Sequence, residues 1–297
     1  RYERIAALEE QGKARILHLR ADQNCFIESG EGTIFDIARS LIDPRKAQQE
    51  LEGEFVSQEG LVYYQFNRRT HHRSWDELQR GGRPWAEDVT AKWLQHELEC
   101  NITPRFLVGV DYGMGRQFSV VYRVVKVGGV IALWAVAEVC RQRDFSVEDL
   151  ADELLARGFF PAAICDDASG PKSKGGRRSA FHFEDLRVAN GKRVQLGGQQ
   201  VFEVFHYGRS PPVADRVDAL NALQGNALGQ TRWYVDAAEC PNLVECLENL
   251  ECENGKPRKN RRDERQYHDM PDAAGYPAIY LFPAAVDYER QERAAVA

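Results

Sequence analysis

The stretch FLVGVDYGMGRQFSVVYRVVKVGGVIALWAVAEVC, residues 106–140, decides the fold. It opens on an apolar run, Phe106 to Tyr112, with Asp111 at its end and a glycine-containing turn behind it. Two more β-rich runs follow, Phe118 to Lys126 and Val130 to Cys140. They meet across Gly128-Gly129, a pair suited to a tight hairpin because glycine accepts the positive φ such turns need. The pattern predicts three antiparallel strands.

Downstream, strand and helix signals alternate. Ser146, with Asp149 three residues on, predicts a capped helix carrying Val147, Leu150, Leu154 and Leu155 on one face and ending at Gly158. Ala162 to Cys165 reads as a short buried strand ending in Asp166-Asp167, and Val201 to His206 as another. Val213 to Ala227 has helical spacing in Val217, Leu220 and Leu223; Trp233 to Val235 is a short strand and Leu243 to Leu250 a helix. Residues 253–267 are charged and loop-like, and Asp272 to Leu281 reads as a closing helix with Pro271 near its first turn. This order predicts an α/β fold with a mixed β-sheet flanked by helices.

Upstream the signals are weaker. Ile34, Ile37, Ala38 and Leu41 recur at helical spacing, and Asp43-Pro44 starts a short helix over Lys46 to Leu51. Phe55 to Phe66 reads as strand around a turn at Glu59-Gly60; residues 67–84 read as loop and 88–100 as helix. Thr103-Pro104 ends that segment, since the residue before proline is driven from helical geometry. The expected division is therefore 1–103 and 104–297.

The chain has 297 residues, a formal charge of −6, 43% hydrophobic and 28% charged residues, which excludes wholesale disorder and a rod of heptads. The longest apolar run, Val127 to Ala137, is too short to cross a bilayer. The seven cysteines are scattered without a CxxC, which speaks against a zinc site and for reduced thiols in a cytosolic setting. The chain opens on Arg1 without a leader, as expected of a trimmed or excised fragment.

The aspartates carry the chemistry. Asp111 and Asp166 each sit at a strand end, and Asp269 and Asp272 open the last helix, three residues apart and so on roughly one face. Open α/β sheets build their sites at the carboxyl ends of strands. Carboxylates converging there repel unless divalent cations neutralise them, and hard oxygen donors favour Mg²⁺ or Mn²⁺ over Zn²⁺. Two such ions about 4 Å apart suit phosphodiester hydrolysis.

An Asp in a DxG after an apolar strand, a hairpin, a second Asp after a later strand and a third opening the final helix resemble an RNase H-like nuclease. More narrowly, four stretches resemble the large terminase subunit of tailed bacteriophages, the DNA-packaging motor. GEFVSQEGLVYYQF at 53–66 is similar to the end of its ATPase region, and FLVGVDYG at 106–113 to its first nuclease strand. The segment from Pro211 to Glu251 and HDMPDAAGYPAIYLF at 268–282 resemble the rest of the nuclease. The resemblance implies an endonuclease that cuts concatemeric viral double-stranded DNA in the host cytoplasm, with the portal and small terminase subunit as partners. It implies Asp111, Asp166 and Asp272 as catalytic metal ligands, Asp269 as a further ligand, and Asp167 and His268 as alternatives to them. It implies residues 1–103 as the tail of the ATPase region and linker. A phosphate loop GxxxxGK[ST] is missing, so ATPase activity is not expected of this chain alone.

DNA contact needs positive charge. Lys172, Lys174, Arg177 and Arg178 follow Asp166, and Lys256, Arg258, Lys259, Arg261, Arg262 and Arg265 precede Asp272, both sets in glycine-containing loops suited to a phosphate backbone. Two other readings share the DxG strand end or the basic loops: an actin- or sugar-kinase-like ATPase, and a module that grips DNA without cutting it. Residues 60–75 resemble a WW domain superficially but lack its first tryptophan and its closing proline.

Overall fold

Gly128 and Gly129 take φ of 57° and 91°, the left-handed pair that closes a tight hairpin. The strands on either side of that turn are the centre of the computed structural model. It describes residues 21, 34–53, 60–74, 77, 84–113, 116–141, 144–166, 191, 200–205, 211–253, 256–258 and 269–282.

In chain order the elements are α1 (Ile34–Leu41), α2 (Pro44–Glu50), β1 (Gly60–Leu61), α3 (Arg68–His71), β2 (Glu87–Asp88) and α4 (Thr90–Glu97). The hairpin region gives β3 (Phe106–Gly113), β4 (Arg116–Val127) and β5 (Val130–Arg141), followed by α5 (Val147–Ala156), β6 (Ala162–Asp166) and β7 (Phe202–Phe205). The chain continues through α6 (Val213–Gln224), β8 (Trp233–Val235), α7 (Pro241–Asn249), β9 (Glu251–Glu253), β10 (Lys256–Pro257) and α8 (Asp269–Leu281).

The main sheet has seven strands in the order β7-β6-β3-β4-β5-β8, with β2 paired to the far end of β4. β4 is antiparallel to β3 and β5, whereas β6 is parallel to β3, β7 to β6 and β8 to β5. All these strands except β4 therefore point one way, and the carboxyl ends of β3 and β6 lie side by side. This mixed sheet, with helices on both faces, is the α/β architecture that the sequence predicts.

Alternation along β3 splits the core. Leu107 packs with α6, α7 and α8 on one face; Val108 and Val110 pack with Val147, Leu150, Ala151 and Leu154 of α5 on the other. The predicted cap of α5 forms as a reciprocal box: Asp149 N–H donates to Ser146 Oγ at 3.1 Å, and Ser146 N–H to Asp149 Oδ2 at 2.8 Å. Across the sheet, Cys240 offers α7 no side-chain cap. Glu138 of β5 takes that role, accepting the Asn242 and Leu243 N–H groups at 2.9 and 2.8 Å.

The segment read as strand and loop behaves differently. Residues 55–59 of the expected strand lie outside the described residues; among the described ones Gly60–Leu61 is strand, pairing with β9, and β9 pairs with β10, which lies inside the stretch read as loop. Asn67 caps α3 by accepting from Arg69 N–H at 2.9 Å, so a helix turn replaces part of the expected loop. Long-range bonds hold this segment down. Asn221 Nδ2 donates to Val62 O at 2.9 Å and His71 Nε2 to Gln224 O at 2.8 Å. Val62, Tyr63 and Leu94 belong to the core beneath α8, so residues on both sides of position 103 share it.

Candidate active site

Asp111 lies two residues beyond Gly109 on β3, on the same face by strand alternation. Gly109 is where the last helix touches the sheet. A Cβ there would overlap the Ala273 carbonyl oxygen and stand 2.5 Å from Pro277 Cδ. The missing side chain thus lets the backbone of α8 rest on β3, a close approach only glycine permits. Asp272, in the first turn of α8, is the residue before that contact. The site follows from local chemistry: a glycine brings the helix down, and an aspartate from each element flanks the contact.

Arg216 of α6 lies beside Asp272. Its side chain is 6% exposed, and its Nη2 lies 3.4 Å from Asp272 Oδ1. The guanidinium carbon sits 4.6 Å from the centre of the Tyr276 ring, one helical turn beyond Asp272. Burial acts to lower the Arg216 pKa, but Asp272, Tyr276 and Asp111 outweigh it and hold the pKa above its ordinary value. Both carboxylates therefore act on one cation. Its Nε and Nη1 are buried without a hydrogen-bond partner. Tyr63 faces the same group; burial first, then the Asp272 charge, pushes its hydroxyl pKa well up.

Asp269 is buried, at 6% exposure. Its charge acts on the thiols of Cys140 on β5 and Cys246 on α7. Burial and then Glu138 are the larger causes at Cys140, whose pKa is pushed up to about 11. Asp166 ends β6 in register with Val110, and Cys165 is in register with Gly109. Asp167, His268, Lys172, Lys174, Arg177, Arg178, Lys259, Arg261, Arg262 and Arg265 lie outside the described residues. Lys256 opens β10, and Arg258 is exposed with Nη1 2.8 Å from Glu251 Oε2. Among the described residues no group of three or more His, Cys, Asp or Glu is gathered at metal-binding spacing. The described carboxylates around Arg216 are Asp272 and Asp111.

Among solved structures, the chain is similar to terminase nuclease domains. One is the nuclease domain of the P22 large terminase, at 15% identity over 76% of this chain and 96% of that one, with a TM-score of 0.46. Another is the large-terminase nuclease domain of bacteriophage SPP1 with bound Mn, at 16% identity over 57% and 84%, with a TM-score of 0.35. No family model matches the chain, and no curated protein does.

Arg216 and Tyr63 are the site neighbours that sequence reasoning missed. For Arg216 a signal exists: Arg216, Leu220 and Leu223 are spaced i, i+4, i+7, so the arginine lies on the apolar face of α6. Val217, read as a core position, is only partly buried, while Arg216 takes the buried place. Tyr63 carried no such mark, because its burial depends on contacts far along the chain.

Proposed function

We propose that this chain is a divalent-metal-dependent DNA endonuclease, the nuclease part of a phage large terminase that cuts concatemeric viral double-stranded DNA during packaging. One observation carries the reading. Asp111 from a strand end and Asp272 from the last helix, set together by Gly109, act on a common buried cation at the carboxyl edge of the sheet. Ligand sites of open α/β sheets form at that edge.

The donor set fits Mg²⁺ or Mn²⁺: hard carboxylate oxygens, partly open to solvent at Asp111 and Asp272. A third carboxylate comes from Asp166-Asp167. Asp166, which ends β6 beside β3, is taken as that donor, with Asp167 as its alternative. Asp269, among thiols, serves as a further acidic group at the helix start. Bound at these carboxylates, a pair of divalent ions would supply positive charge to the attacking water and the departing oxygen. The aspartates hold their places and exclude one another's collapse through Arg216, while Lys172, Lys174, Arg177, Arg178, Lys256, Lys259, Arg261 and Arg262 supply the backbone contacts to DNA. Arg258, engaged with Glu251, contributes after exchanging that exposed pair for phosphate. The portal and the small terminase subunit are partners of the whole motor under this reading.

The test is supercoiled plasmid incubated with Mn²⁺ or Mg²⁺. Nicking and linearisation are expected, EDTA stops both, and Asp111→Asn and Asp272→Asn abolish them while circular dichroism remains that of the wild type. Full cleavage by Asp111→Asn sinks the site. ATP binding without cleavage would instead favour the kinase-like reading, and DNA binding without cleavage in any divalent metal a gripping module.

A further inference from the structure

Arg216 is an expensive residue to bury. A guanidinium taken out of water costs several kcal/mol unless its donors are matched and its charge is paired. Here the matching is incomplete. Nη2 reaches Asp272 Oδ1 at 3.4 Å, longer than a good charge-assisted hydrogen bond, and Nε and Nη1 are buried without partners. The stem is held all the same. The place of a Cβ on Gly275 lies 3.1 Å from Arg216 Cβ, and the Tyr276 ring lies 4.6 Å from the guanidinium carbon. The side chain is packed firmly and hydrogen-bonded poorly. An apolar residue of similar volume would satisfy the packing alone, so the charge itself is what the site retains.

That charge lies where Asp111 and Asp272 both feel it. With one guanidinium against two carboxylates, the trio carries one negative charge instead of two. The guanidinium charge offsets part of the repulsion between the two carboxylates. We propose that Arg216 is a positioning residue, a built-in counter-cation that keeps Asp111 and Asp272 assembled before metal binds and sets how tightly metal binds. This rests on the reading of those aspartates as metal ligands. Two consequences oppose each other. In the absence of metal the guanidinium stabilises the closed site. In its presence the same charge repels the incoming cation, so the site is preformed but its affinity is held down.

The experiment compares wild type, Arg216→Met and Arg216→Lys by thermal unfolding in EDTA and by calorimetric titration with Mn²⁺. Arg216→Met keeps most of the stem and removes the charge. It is expected to unfold at lower temperature than wild type in EDTA, to bind Mn²⁺ about tenfold more tightly or better, and to gain more in unfolding temperature from saturating Mn²⁺. Arg216→Lys keeps the charge and should lie between the two in affinity. A purely structural role would lower stability without tightening Mn²⁺ binding, so equal or weaker binding by Arg216→Met overturns the proposal. Should Arg216→Met fail to fold in EDTA, folding on Mn²⁺ addition supports the proposal. Failure to fold in either passes the decision to Arg216→Gln, which also removes the charge and whose affinity must then exceed that of wild type. Plasmid cleavage separates the two readings. A wild type that neither binds Mn²⁺ nor cuts overturns both, while one that binds and cuts, with affinity unmoved by either variant, overturns only the role of Arg216.

Discussion

Replacing Gly109 by alanine tests the contact that assembles the site. The backbone itself would accept alanine, because Gly109 lies within a regular strand and holds no left-handed φ. On backbone grounds alone, Gly→Ala in a strand stabilises by about 0.4–1 kcal/mol through the unfolded chain. The contact reverses the sign. The new Cβ would stand 2.5 Å from Pro277 Cδ and 2.8 Å from Pro277 Cγ, where real contacts essentially never fall below 3.0 Å. The first of these requires 3.0 − 2.5 = 0.5 Å of retreat, and the overlap with the Ala273 carbonyl oxygen requires more. Pro277 is a rigid ring and Ala273 contributes backbone, so no rotamer change relieves either; α8 must move as a body. Overpacking of this kind costs roughly 1–3 kcal/mol, which lowers the unfolding temperature by about 2–12 °C in a protein of this size. Asp272 moves with the helix while Asp111 stays with the strand, and a misplacement near 1 Å can cost about a hundredfold in rate. Thermal unfolding followed by circular dichroism, and plasmid cleavage with Mn²⁺, read the two effects. A Gly109→Ala protein more stable than wild type and cutting at the wild-type rate would refute the close approach and the site built on it.

Three further outcomes follow from the same geometry. Asp166→Asn is expected to abolish plasmid cleavage while Asp167→Asn retains it; the reverse result assigns the third ligand to Asp167. His71, whose pKa burial draws below the ordinary 6.5, stays neutral in the folded protein with Nε2–H on the Gln224 carbonyl. Its contribution is fully present above about pH 6.5 and is lost as pH falls toward the lower folded value, because the unfolded chain takes up the proton first. The unfolding temperature of wild type should therefore drop below pH 6.5 more steeply than that of His71→Gln, and parallel curves would refute this. A chain beginning at residue 104 lacks Val62, Tyr63 and Leu94 from the core, each side chain worth about 1.5–3 kcal/mol on burial. It should show no cooperative unfolding transition in calorimetry, and a sharp one near the full-length temperature would show that residues 104–297 stand alone.

What the sequence disclosed depended on the range of the interaction. The hairpin at Gly128-Gly129, the Ser146–Asp149 box and the apolar run into Asp111 are written in neighbouring residues, and all three form as read. The segment from Gly60 to Arg73 was not legible, because Val62, His71 and Arg73 are held by Asn221, Gln224 and Val235, more than 150 residues away. Asp111 and Asp272 could be proposed from their places at a strand end and a helix start. The close approach of Gly109 to Ala273 and Pro277, which brings α8 onto β3, could not.

Gly109 and Arg216 answer the same physical problem in different ways. Carboxylates from a strand and a helix cannot be brought together unless the backbones approach and the repulsion is met. Gly109 removes the side chain that would hold α8 off, at the conformational cost of glycine within a strand, roughly 0.5–1 kcal/mol. Arg216 meets the repulsion, at the cost of a buried cation with two unmatched nitrogens. Arg216 does not improve the core on its own account; an apolar side chain would serve packing better if Asp111 and Asp272 were idle. The two departures converge on one aspartate pair at the carboxyl edge of the sheet, where strained and costly arrangements mark function. An acidic chain of net charge −6 therefore need not be a poor partner for DNA. Under the proposed reading, part of its negative charge serves to bind cations, and the guanidinium beside Asp272 holds that charge in place until they arrive.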